Sequence, residues 1–199
     1  MSHRNEGRAW GRVLKMDHQS TKSGKPETKL TILCTPSFGP TVTVYAKLYK
    51  ESEIELLKAL YAKDPHQTLK FSGGLSQYTM REKLYTAFTF FNVLPEGGAE
   101  QRASFILRGR LIGKEYPTAQ AMDEHTILRI EIKSGQRKTR FGVYAKSLDA
   151  EAVRAEDEIE VKGYINRIED SYGSHIFTGP ICNEVIKAET APQTTEAGE

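Results

Sequence analysis

Apolar and polar residues alternate along much of this chain, and the run from Thr41 to Lys47 shows the pattern most cleanly. Side chains of a strand point to opposite faces in turn, so Val42, Val44 and Ala46 share one face and Thr43, Tyr45 and Lys47 the other. Val44-Tyr45-Ala46-Lys47 returns as Val143-Tyr144-Ala145-Lys146, 99 positions later. There Phe141, Val143 and Ala145 lie opposite Arg140, Tyr144 and Lys146. Both copies predict a half-buried strand whose outer face carries a ring beside cations.

Taken in order, residues 1 to 8 are polar and read as a loose tail. A first strand is expected from Ala9 to Met16, with Val13 inward and Trp10, Arg12 and Leu14 outward. Lys15 to Thr28 reads as a flexible loop, a cationic arm carrying Lys15, Lys22 and Lys25. A strand from Lys29 to Thr35, a turn over Pro36 to Pro40 and the Thr41 to Lys47 strand follow. Ile54, Leu57, Leu60 and Tyr61 recur at helical spacing, which predicts a helix from Ser52 to Lys63, with Ser52 and Glu55 as a capping box and Asp64-Pro65 as the stop. A fourth strand is expected over Thr68 to Gly73 and a fifth over Thr86 to Leu94. Between them Ser76 to Tyr85 is a polar stretch with Tyr78, Arg81, Lys83 and Tyr85. Pro95 to Gly98 punctuates the chain as a linker.

The second half repeats this order. Arg108-Gly109-Arg110-Leu111 answers Trp10-Gly11-Arg12-Val13, with the glycines 98 positions apart. Strands are expected over Phe105 to Gly113, Thr126 to Ile132, Arg140 to Lys146, Glu158 to Tyr164 and from His175 onward, with a short helix in Asp149 to Ala155. Gly73 and Gly163 correspond at an interval of 90, so the second copy is shorter around its helix. The division that results is a tail (1–8), a first domain (9–95), a linker (96–103), a second domain (104–188) and a disordered tail (189–199).

At 199 residues the chain has room for two such units. Hydrophobic residues make up 38% and charged residues 27%, the composition of a soluble globular protein. No apolar run has membrane-spanning length and no signal core opens the chain, so a cytosolic protein is expected, in the host cytoplasm if a phage encodes it. Cys34 and Cys182 sit in apolar stretches and read as reduced core thiols. The cysteines and the scattered His66, His125 and His175 form no metal-ligand spacing, and no catalytic grouping or phosphate-cradling loop stands out. No cofactor, metal or enzymatic activity is expected. The net charge of +2 conceals a split. Residues 1–98 hold 14 Lys and Arg against 9 Asp and Glu, or +5, whereas residues 99–199 hold 14 against 17, or −3. The first half is the better seat for an anionic ligand.

Three strands, a helix and two strands in each half resemble the oligonucleotide/oligosaccharide-binding (OB) fold, a five-stranded Greek-key barrel. The run Glu156-Asp157-Glu158-Ile159-Glu160-Val161-Lys162-Gly163-Tyr164-Ile165 resembles the fourth-strand signature of bacterial and phage single-stranded DNA-binding proteins. The resemblance implies a mainly β protein of two tandem OB-fold barrels, each with its helix between strands three and four. It also implies sequence-independent binding of single-stranded DNA, by base stacking on aromatic rings and phosphate neutralisation by Lys and Arg. Carried over by position, the binding residues would be Trp10, Arg12, Tyr45, Lys47, Arg108, Arg110, Arg140, Tyr144 and Lys146, with Lys22, Lys25, Tyr78, Arg81, Lys83, Arg167 and Tyr172 on loops. For the tyrosines the alternative is core packing, which is the expectation for Phe71, Phe88, Phe90, Phe91 and Phe177. The C-terminus lacks the acidic run and hydrophobic tip of the bacterial proteins. The competing function is an interaction scaffold in a replication or recombination assembly. RNA as a ligand and a homodimer stay open.

Overall fold

Where the polar and apolar residues alternate, the chain forms strands. The structure, a computed structural model, describes residues 2–80, 83–95, 101–115, 125–169 and 176–187. Its elements are β1 (Arg4–Ser20), β2 (Pro26–Cys34), β3 (Val42–Leu48), α1 (Glu51–Lys63), β4 (Thr68–Met80), β5 (Lys83–Leu94), β6 (Ala103–Glu115), β7 (His125–Ser134), β8 (Arg137–Lys146), α2 (Ser147–Glu151), β9 (Glu158–Glu169) and β10 (Ile176–Lys187). The hydrogen-bonded order runs β1–β2–β3–β5–β4 and returns to β1, with only β3 and β5 parallel. In the same way β6–β7–β8–β10–β9 returns to β6, with only β8 and β10 parallel. Each ring has the strand order of an OB-fold barrel. The inner faces carry Leu30, Ile32, Val44, Leu48, Phe71, Phe88 and Phe90 in the first ring and Leu107, Leu128, Ile130, Phe141, Val143 and Val161 in the second, all buried.

The repeated glycines mark the same constraints in both rings. A Cβ on Gly11 would stand 2.4 Å from Leu33 O, and one on Gly109 would stand 2.4 Å from Glu131 O. On Gly73 it would stand 2.0 Å from Thr89 O, and on Gly163 1.9 Å from Ile181 O. Only a residue without a side chain lets these backbones approach so closely. A bulge faces each of the latter pair. The register of β4 with β5 skips Phe91, and that of β9 with β10 skips Asn183. The bulge turns Phe91 outward, 56% exposed, and so corrects the expectation that it packs in the core. Phe71, Phe88 and Phe90 do lie in the core, while the Phe177 side chain lies outside the described residues.

Several polar stretches are strands where loops were expected. Residues 4 to 8 open β1 and are no tail: they pair with β6, Arg4 opposite Arg108 and Gly7 opposite Phe105. Nothing apolar advertises this segment because it fits through a small residue, Gly7, against Phe88, and through Asn5, which donates to Leu75 O and accepts from Leu75 N, both at 2.8 Å. The expected flexible loop over Lys15 to Thr28 is a hairpin in which β1 and β2 continue to Ser20 and Pro26. Its pairs are polar, such as His18 Nδ1 with Thr28 Oγ1 at 2.9 Å, and on the β2 side two of these polar residues, Glu27 and Thr28, are buried. Likewise β4 and β5 run on as a hairpin to Met80 and Lys83.

α1 starts at Glu51, after Lys50 in extended conformation, and has no side-chain cap. Ser52 therefore lies inside the first turn, and the expected capping box does not form. The Glu53 carboxylate instead accepts from Val93 N at 2.9 Å and from Lys50 Nζ at 3.2 Å, tying the helix to β5. At the other end Asp64 N donates to Leu60 O, as the Asp64-Pro65 stop requires. α2 spans Ser147–Glu151 rather than the stretch from Asp149.

Candidate nucleic-acid interface

The outer face of β2 and β3 is built by three cross-strand pairs: Lys29 opposite Lys47, Thr31 opposite Tyr45, and Leu33 opposite Thr43. On either side of the bulge at Leu14, β1 adds Arg12 beside Leu33 and then Lys15 beside Thr31 and Asp17 beside Lys29. Tyr45 is at the centre of this face and 60% exposed, because its neighbours Ala46 and Val44 fill the core instead. Its cations differ in their freedom. Lys47 reaches Glu27 at 3.2 Å, and Lys15 reaches Asp17 at 2.8 Å. Arg12 Nη1 lies 3.4 Å from His66 Nδ1. Lys29 is exposed and has no carboxylate partner among the described residues. Burial opposes the charge on Glu27, but hydrogen bonds from Tyr49, Lys47 and Gln19 outweigh it and hold the carboxyl below its ordinary value. Lys22 and Lys25 sit exposed at the tip of the β1–β2 hairpin, where Gly24 takes φ 77° to turn the chain.

The matching face of the second ring pairs His125 with Lys146, Ile127 with Tyr144, Arg129 with Gly142, and Glu131 with Arg140. It is less open. Tyr144 is half-buried, and burial pushes its hydroxyl above the ordinary value. Two residues earlier the first ring's own β4–β5 hairpin holds the strand, as Gln77 Nε2 donates to Gly142 O at 2.9 Å and Gly142 N donates to Gln77 Oε1 at 2.7 Å. Arg140 is exposed and lies 3.5 Å from Glu131, and Lys146 is exposed. Arg108 and Arg110 point outward as expected, but both are engaged: Arg108 Nε donates to Glu160 at 2.8 Å and Arg110 Nη1 to Glu156 at 2.6 Å.

Trp10 is not part of the Tyr45 row. It lies past the last β1–β2 pair, opposite Lys70 of β4, whose ammonium stands 5.5 Å from its ring. There it lines a cleft of about 590 Å³ with Arg102, Ile106, Lys162 and Tyr164. Tyr78 is 52% exposed on the β4–β5 hairpin and stacks on Tyr85 with centroids 5.5 Å apart. Arg167 is exposed near the end of β9. Arg81, Tyr172 and the Lys83 side chain lie outside the described residues. Sequence reasoning passed over Lys29, which the alternation of β2 could have shown, and also Glu27 and Glu131, whose cationic partners on the next strand are set by the hairpin register, and Gln77, whose partner Gly142 lies 65 residues away. No metal-ligating group of side chains forms among the described residues.

No family model matches the chain, and no curated relative matches its sequence. In structure it is similar to the single-stranded DNA-binding protein from Thermus aquaticus, at 16% identity and a TM-score of 0.66 over 96% of this chain and 96% of that one. A deletion mutant of the same protein gives 17% identity and a TM-score of 0.66 over 96% and 98%. The likeness is one of fold, and it extends over both rings. A Plasmodium falciparum single-stranded DNA-binding protein in complex with single-stranded DNA overlays 47% of this chain and 93% of its own, at 14% identity and a TM-score of 0.36, too loose for any argument.

Proposed function

We propose that this chain binds single-stranded DNA without reading its sequence and without catalysing a reaction, each ring serving as one domain, the first opening with β1 at Arg4 and the second with β6 at Ala103. The observation that carries the reading is Tyr45, a ring 60% exposed at the centre of a strand face with Lys29 and Lys47 at one end and Arg12 at the other. A single strand offers unpaired bases and phosphates together; the ring stacks on the first while the cations neutralise the second. The fold shared with the Thermus aquaticus protein over nearly the whole chain supports it. Lys22 and Lys25 on one hairpin, and Tyr78 with Tyr85 on another, extend the surface, and the Arg140, Tyr144 and Lys146 face contributes in second place because it is half covered. Replication or recombination is the setting in which such protection is used.

Titrating a fluorescent oligothymidine into the protein in low and high salt tests this. Affinity should fall as salt rises, since each phosphate contact releases a counterion. Absence of binding at low salt would end the proposal, and preference for duplex would redirect it. An interaction scaffold is the second reading, favoured by Phe38, 91% exposed on the β2–β3 turn. It predicts capture of a replication or recombination protein that survives nuclease treatment.

A further inference from the structure

Each ring sets a buried carboxylate against the cations of its strand face, Glu27 against Lys47 in the first and Glu131 against Lys138 and Arg140 in the second, and the second engages more of them. Glu131 occupies an outward position of β7, between the inward Ile130 and Ile132, yet its side chain is only 2% exposed. It stands directly across from Arg110 on β6 and from Arg140 on β8. Lys138 Nζ approaches its Oε1 and Arg140 Nε its Oε2, both at 3.5 Å. Those distances are long for charge-assisted hydrogen bonds, and Oε1 has no hydrogen-bond partner among the described residues. A carboxylate thus sits beneath Lys138 and Arg140 and holds both loosely. The matching position in the first ring, by the repeat that pairs Gly11 with Gly109, is Leu33, which has no charge. Both the ring and the cations that the second face needs are present, but a fixed negative charge lies in the middle of them.

We propose that Glu131 is an internal competitor for phosphate, a built-in anion that keeps Lys138 and Arg140 from the nucleic acid and makes the second ring the weaker half of the binding surface. This rests on the single-stranded DNA reading and adds a division of labour to it. A strand arriving at this face must draw the two cations away from a carboxylate that stays behind, buried. At the Tyr45 face the buried Glu27 holds Lys47 in the same way, but Lys29 makes no ion pair among the described residues and stays available to phosphate.

The test is the salt dependence of oligothymidine binding by Glu131→Gln in the full chain, with Glu55→Gln as control. Glu55 is an exposed residue of α1 paired with Lys58, so the control changes net charge equally but away from both faces. Glu131→Gln should bind at least threefold more tightly than the control at low salt. Its plot of log affinity against log salt should be steeper by about 0.7 to 1.4, the increment for one or two further phosphate contacts on a single strand. A merely structural role would not move that slope. Equality with the control in affinity and slope would overturn the proposal while leaving DNA binding itself intact, and a wild-type protein that binds no oligothymidine would overturn both. Should Glu131→Gln fail to fold, Arg140→Gln and Lys29→Gln in the otherwise native chain decide the matter, since both sites are exposed. The Arg140 variant should lose less than twofold and the Lys29 variant more; equal losses would sink the idea.

Discussion

Replacing Gly163 by alanine should destabilise the protein by about 1–4 kcal/mol, and the figure follows from the β9–β10 ladder. The new Cβ would lie 1.9 Å from Ile181 O, 2.8 Å from Ile181 C and 2.9 Å from Cys182 Cα, all backbone atoms that no rotamer change can move. Ordinary contact begins at 3.4 Å, so the strands must part by roughly 1.5 Å, enough to break a ladder hydrogen bond. Overpacking of this kind costs about 1–3 kcal/mol and a lost hydrogen bond about 1 more, while stiffening the unfolded chain returns about 0.4–1 kcal/mol. Gly113→Ala is the internal control. Nothing lies within 4 Å of its Cβ position, so only the unfolded-state term remains and the variant should be neutral or slightly stabilised. Urea unfolding followed by circular dichroism reads both as shifts in midpoint at constant slope. A Gly163→Ala midpoint at or above wild type would refute the account of why this glycine recurs.

Tyr45→Ala should weaken oligothymidine binding by about 5- to 150-fold, the equivalent of the 1–3 kcal/mol typical of one stacked base, with an unchanged melting temperature because the ring is 60% exposed. Tyr144→Ala should weaken binding less and lower the melting temperature, since that ring is half-buried; the reverse ranking would count against the reading of the two faces. Burial pushes the Cys34 thiol up to about 12 and that of Cys182 to about 11, so neither should react with iodoacetamide at pH 8 until urea unfolds the chain, as mass spectrometry would show. Hydrogen bonds from Arg4, Arg129 and Lys187 hold Glu6, Glu115 and Asp157 below their ordinary values of 4.5, 4.5 and 3.8. Between the unfolded and folded values the unfolded chain binds more protons, so their contribution is present above about pH 5 and is lost as pH falls through the folded values; a urea midpoint flat from pH 5 to pH 3 would contradict this.

Much of the architecture was legible because the strands that matter are half-buried, and half-burial writes itself as alternation. Leu30, Ile32 and Cys34 in β2 and Val42, Val44 and Ala46 in β3 are placed correctly by parity alone. The misses share a cause. Beyond Met16 the β1 arm of the first hairpin is exposed on both faces and its β2 arm buries polar residues, Glu27 and Thr28, while Ser76 to Tyr85 is polar along most of its length, so neither sequence carries an apolar period to detect. Residues 4 to 8 are held by backbone pairing and by the Asn5 amide, which composition cannot distinguish from a tail. At the candidate interface the strand parity showed which residues face outward. It could not show which cations are already engaged, because Glu160 meets Arg108 and Glu27 meets Lys47 only when strands separated in the chain come side by side.

The ladder between β1 and β6 has a consequence for how the two halves stay together. Counterparts in the repeat lie 98 positions apart, and Gly7 pairs with Phe105, its own counterpart. Arg4 faces Arg108, the counterpart of Trp10, while Trp10 N donates to the carbonyl of Arg102, the counterpart of Arg4. Such reciprocity is the mark of an isologous contact about a local twofold axis, the kind that joins identical subunits. A lone ring bearing this edge would meet a second copy of itself in the same register, and only as often as concentration allowed. Joined in one polypeptide, the two meet at an effective concentration set by the linker, and dilution cannot part them.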